Sequence, residues 1–115
     1  MKLVLTKKQA KGMMGNVTFE VKALAQLNQE EASLIDHYKL RDTVLFSKKM
    51  VFLGQVTDQE IQVRVQDLLS GEAYKCKDLS EVIAYSDSVK SACETLKDYL
   101  EVARSFGGEE VVEIS

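Results

Sequence analysis

The run SDSVKSACETLKDYLEVARSFGGEEVVEIS, residues 86–115, decides the fold. Val89, Ala92, Cys93, Leu96, Tyr99, Leu100, Ala103 and Phe106 recur at three- and four-residue steps, which places them on one apolar stripe of a helix. Lys90, Glu94, Lys97, Asp98, Glu101 and Arg104 fall between them and form the wet face. Gly107-Gly108 stops the helix, and Glu109 to Ile114 then reads as a closing strand. A helix with one apolar stripe must bury it against another element.

The rest of the chain supplies strands. Lys2 to Thr6 reads as a first strand and Lys7 to Asn16 as a long loop. Val17, Phe19, Val21, Ala23, Ala25 and Leu27 alternate with Thr18, Glu20, Lys22 and Gln26, the pattern of a strand with one buried face. Asn28 and Glu31 are spaced as a capping box, so a shorter helix follows the hairpin and ends near Leu40.

Thr43 to Leu53 is rich in β-branched and aromatic residues, with Lys48-Lys49 marking a kink or bulge. Ile61, Val63 and Val65 alternate with polar neighbours as another strand. Asp67 to Gly71 is a helical turn stopped by glycine, and Ala73 to Cys76 a short extended piece. Asp78 with Glu81 caps a short helix through Tyr85, after which Ser86 or Ser88 caps the long one.

These elements predict one α+β domain over residues 1–115. An antiparallel sheet of four or five strands carries the long carboxy-terminal helix on one face. If Leu24, Leu45 and Leu53 prove exposed, a partner chain is expected to cover the other face, as in a homodimer.

Composition narrows the function classes. The 115 residues are 45% hydrophobic and 29% charged, ordinary for a globular domain. No apolar run approaches the roughly 20 residues that span a bilayer. Leu3-Val4-Leu5 is too short for a signal-peptide core, so a cytoplasmic protein is expected. Cys76 and Cys93 have no framework spacing and are expected reduced and buried. Net charge is −3, yet Lys2, Lys7, Lys8, Lys11 and Lys22 face one acid, Glu20, in the amino-terminal hairpin.

Chemistry-bearing patterns are sparse. Ser33 and His37 share a helix face, but Asp36 points elsewhere, so no triad forms within that helix. A lone histidine leaves a metal site without ligands, and no metal or cofactor is expected. Glu109, Glu110 and Glu113 form an acidic cluster read as a solvated strand edge. Gly12-Met13-Met14-Gly15 resembles the backbone-clamping loop of KH nucleic-acid domains, although that loop joins helices and this one lies between strand signals. Met13 and Met14 at the loop tip, with Lys7, Lys8 and Lys11, are the candidate partner-binding residues, because methionine suits adaptable contact surfaces.

Lys8 to Asn16, the run Tyr74-Lys75-Cys76-Lys77-Asp78-Leu79, and Leu96 to Ile114 with its Phe106-Gly107-Gly108 together carry a resemblance. The chain resembles small uncharacterised bacterial α+β proteins carried on mobile gene cassettes, which bring no assigned activity. The leading expectation is a non-catalytic binding or interaction protein. One alternative is a nucleic-acid binder using the basic hairpin loop. Another is a small-molecule domain or minor enzyme with a cavity between sheet and helix, involving Tyr38, Tyr74 or His37.

Overall fold

The computed structural model describes residues 1–12, 14–109 and 111–114, with backbone alone for residues 50–52 and 56–59. Its elements run β1 (Lys2–Lys11), β2 (Val17–Gln26), α1 (Gln29–His37), β3 (Val44–Phe52), β4 (Gln55–Arg64), α2 (Val65–Ser70), β5 (Ala73–Cys76) and α3 (Leu79–Ser105). The protein is α+β with antiparallel strands and a long carboxy-terminal helix.

The strands do not join into one sheet of four or five. They form a three-stranded sheet, ordered β1-β2-β5, and a separate β3-β4 ribbon. Both pack on α3, so the helix serves two sheets rather than covering one. Alternation in a strand fixes which face is buried but not which strand it pairs with, and α3 is broad enough to seat both. The molecule is accordingly elongated, 60 × 34 × 21 Å with a radius of gyration of 17.4 Å. A compact chain of 100 residues would have roughly 13 Å.

β1 is longer than its side chains suggest. Lys7 to Lys11 pair with Val21 to Val17, so the expected long loop shrinks to a tight tip. Gly12 N–H donates to the Asn16 carbonyl at 2.6 Å, and Gly15 N–H to the Gly12 carbonyl at 3.1 Å. Backbone pairing extends the strand where no apolar face demands it. On β2, Val21, Ala23 and Ala25 are buried, as the alternation requires.

The capping box at α1 is formed: Glu31 N–H donates to Asn28 Oδ1 at 2.8 Å, and Asn28 N–H to Glu31 Oε1 at 2.9 Å. α1 ends at His37 rather than Leu40, because Lys39 turns to a φ of 55°. In the β3-β4 ribbon the register shifts between Val44 and Phe46 and again between Lys49 and Val51, the second beside the expected kink. The first shift turns Leu45 inward, so it is buried, whereas Leu24 and Leu53 are exposed.

β4 hands over directly to α2 at Val65. The Val65 and Gln66 amides donate to the carbonyls of Thr43 and Arg41, at 3.1 and 2.9 Å, which satisfies the start of the short helix. Gly71 ends it in the left-handed region at φ 65°, and a Cβ there would lie 3.3 Å from Leu24 Cδ1.

α3 is one continuous helix of 27 residues, without the expected break at Ser86 or Ser88. Both serines are buried inside it, and Ser88 Oγ donates to the Ala84 carbonyl at 2.7 Å instead of capping a new start. Asp78 caps the whole helix, accepting from Glu81 N–H at 2.9 Å. The core runs from Val21 and Ile35 through Val63, Val65 and Leu68 to Val89, Leu96 and Leu100.

The expected closing strand does not form. Glu109 and Val111 to Ile114 have no strand pairing, and Val111 and Ile114 are 87% and 93% exposed. The residues have strand propensity, but among the described residues no sheet edge receives them.

Candidate functional site

The partner-binding residues expected from sequence fall on the β1-β2 hairpin. Lys7, Lys8 and Lys11 are exposed, but they lie along the strand rather than in a loop. Successive strand residues point to opposite faces, so Lys7 and Lys8 cannot converge on one ligand. Lys8 sits opposite Glu20, which offsets its charge. Met14 is 88% exposed at the tip, and Met13 lies outside the described residues.

Tyr38, Tyr74 and His37, expected at a cavity site, do not converge on one place. Tyr38 lies against Phe106 at the end of α3, with ring centroids 5.9 Å apart, and His37 meets Tyr38 edge-on at 4.8 Å. Tyr74 instead stacks on Tyr85, near the start of α3. At 1.5 Å per residue, the two ends are roughly 30 Å apart along the helix. Asp36 is held by Arg41 at 3.2 Å and does not orient His37. Among the described residues no group of three or more His, Cys, Asp or Glu side chains is placed to hold a metal ion. No described helix is long and apolar enough to cross a membrane.

Cys76 and Cys93 are unbridged and buried. Burial pushes the Cys76 thiol above its ordinary range, and the charges of Glu81 and Asp78 push it further. A thiol held protonated is a poor nucleophile.

Tyr74 lines two shallow grooves beside β5, and two further surfaces stand out. One is a groove of about 470 Å³ between the ribbon and α3, lined by Phe46, Lys48, Lys49 and Ile61 and by Ala84, Asp87, Ser88 and Ser91. The other lies at the end of α3. Tyr99, Val102 and Phe106 are 41%, 59% and 68% exposed, and Tyr38 extends the strip across α1. The apolar tail residues Val111, Val112 and Ile114 follow directly.

Sequence reasoning assigned Tyr99 and Phe106 to the core stripe. The core stripe is Leu96, Leu100 and Ala103; Tyr99 and Val102 lie on the neighbouring stripe, rotated by one position, and Phe106 follows as the extended C-cap residue. Val102, which fits no buried position, was the available signal.

An ionic cluster around the buried Glu31 lies at this end, with its partners Arg104 and Glu30 exposed. Glu31 is 4% exposed, and its carboxylate lies 3.3 Å from the Met1 ammonium and 3.7 Å from the Arg104 guanidinium. Burial pushes the Glu31 carboxyl up, but the Asn28 amide, the Met1 ammonium and Arg104 together outweigh it and hold the group below its ordinary value. Arg104 also bonds Glu30, so the last turn of α3 is tied to the first turn of α1. The exposed strip therefore stands on a fixed support.

Compared with known protein families, curated proteins and solved structures, the chain matches none.

Proposed function

We propose that this chain is a non-catalytic interaction protein that associates with a second copy through the outer stripe of α3. The carrying observation is the exposure of Tyr99 and Val102, one helical step apart on α3, and of Phe106 at its C-cap, where the ring meets Tyr38. Monomeric proteins seldom leave contiguous apolar area unpaired, and aromatic side chains are the usual anchors of an interface. The ionic tie beneath the strip supports the reading, since a pre-ordered surface loses less entropy on docking.

Sedimentation across a concentration series tests this. The parent chain should dimerise, and Val102→Asp with Phe106→Asp should dissociate it while changing the monomer's stability by less than ~0.5 kcal/mol, as exposed substitutions do. A parent chain that stays monomeric at every concentration would overturn the reading.

The groove between ribbon and helix favours a second reading, a site for a small apolar anion. Phe46, Ile61 and Ala84 supply its apolar lining, and Lys48 and Lys49, beside the second register shift of the ribbon, outweigh the one acid of the lining, Asp87. A thermal-shift screen of aromatic carboxylates against the parent and Lys48→Ala would detect it. No shift with any of them would remove this reading.

A further inference from the structure

We infer that the tail after α3 is an exchanged strand, adding to the free edge of β1 in a second copy. The inference rests on the self-association proposed above and names the segment that completes it.

The tail has strand composition, Val111, Val112 and Ile114 interspersed with Glu109, Glu110 and Glu113, yet its described residues are unpaired and exposed. β1 is an edge strand of ten residues, paired among the described residues with β2 alone. A long edge presents unpaired amides and carbonyls along its whole length, a template for an added strand.

The edge is also unfinished in its side chains. Leu3 and Leu5 sit opposite the buried Ala25 and Ala23, on the core side of the sheet, but are themselves only half-buried. Val112 and Ile114 alternate as one strand face would, and a strand laid beside β1 could cover both leucines.

Charge selects the occupant. β1 carries Lys2, Lys7, Lys8 and Lys11, and none of them is in an ion pair among the described residues. The tail carries three glutamates within five residues, Glu109 to Glu113. A basic edge and an acidic strand come from the same sequence, so two copies are complementary to each other.

Geometry favours exchange over folding back. Arg104 and Met1 both reach Glu31, so the end of α3 lies beside the start of β1. A tail leaving there would run parallel to its own β1, and parallel pairing is the weaker kind. A two-fold arrangement lets each tail run antiparallel on the other copy and buries both edges at once. The exposed stripe of α3 is directly continuous with the tail, so both would belong to one interface.

Charge reversal tests the exchange. Glu109→Lys/Glu113→Lys places lysines against the lysine edge; Lys2→Glu/Lys7→Glu places glutamates against the acidic tail. All four positions are exposed, so each variant should fold and melt as the parent does. Each alone should weaken self-association ~10-fold or more by like-charge contact. Mixed together, the two variants should recover the parent affinity, because both exchanged contacts are then complementary. A tail folded onto its own edge gives no recovery on mixing, and that result overturns the inference. Unchanged association of the single variants overturns it too. If those variants stay dimeric while Val102→Asp with Phe106→Asp falls apart, only the strand exchange fails and the helix interface stands.

Discussion

The phenol rings of Tyr74 in β5 and Tyr85 in α3 lie 4.1 Å apart and within 5° of parallel. β5 is only four residues long and would be marginal as a free edge, so this stack helps fasten it to the helix. Tyr85 is buried and Tyr74 half-buried. Tyr85→Ala should therefore cost ~3–5 kcal/mol, as large aromatic truncations in cores do, and Tyr74→Ala less. A double-mutant cycle in denaturant should return a coupling of ~0.5–1.5 kcal/mol for the stack. Strict additivity would mean that the rings merely lie side by side.

The same cluster predicts an alkaline weakness. Burial raises the Tyr74 and Tyr85 hydroxyls above the ordinary tyrosine range; nearby Cys76 and Glu81 add to the first, and Asp67, Tyr74 and Cys76 to the second. The Cys76 thiol is raised as well, again chiefly by burial. A raised acid holds its proton longer in the folded state than in the unfolded one. Its stabilisation is complete below the unfolded pKa and is lost as pH climbs toward the folded one. Melting temperature should thus fall between about pH 8 and about pH 11, the span where thiols and phenols ionise. Tyr85→Phe, which keeps the ring, should flatten that slope; an unchanged slope would remove Tyr85 from the account.

Glu31 predicts the opposite limb. Its carboxyl is held below the ordinary value, so its contribution is present above the unfolded pKa and disappears as pH falls through the folded one. Glu31→Gln retains an acceptor for the Asn28 amide but not the charge facing Met1 and Arg104. At neutral pH the variant should be less stable by about 1–3 kcal/mol, the range for a hydrogen bond to a charged group. Urea titrations at decreasing pH should show the gap closing in acid. A gap that stays constant would assign the loss to packing instead.

Local chemistry was legible in the sequence, and long-range pairing was not. The alternation of β2, seen from Val21 onward, the capping box at Asn28 and the glycine stop at Gly71 each depend on residues close in sequence, and each appears within the expected element. The division into two sheets depends on which strands meet across the chain, and side-chain period says nothing of that. Ser86 and Ser88 misled for a related reason. Serine favours caps when its hydroxyl can turn to a free amide, but burial against the sheets kept these two inside a continuous helix. The tail misled in the other direction: its strand propensity was real, but its described residues pair with no strand. Of the candidate site, the hairpin lysines and Met14 were visible as exposed residues, whereas the strip on α3 was hidden by reading two neighbouring stripes as one.

The remaining prediction concerns those two serines, which differ in one respect. Both are buried on α3, but Ser88 Oγ has the Ala84 carbonyl at 2.7 Å, whereas Ser86 Oγ finds no hydrogen-bond partner among the described residues. A buried hydroxyl without a partner keeps its full desolvation penalty, about 1–3 kcal/mol on protein scales. Ser86→Ala removes that penalty and leaves only a small void, and alanine is also the better helix former. The variant should gain about 1 kcal/mol or more in chemical denaturation. Ser88→Ala makes the same covalent change but discards a satisfied bond, so its effect should be near zero or destabilising. If Ser86→Ala destabilises as much as Ser88→Ala, then the Ser86 hydroxyl has a partner and the packing around the middle of α3 is not as described.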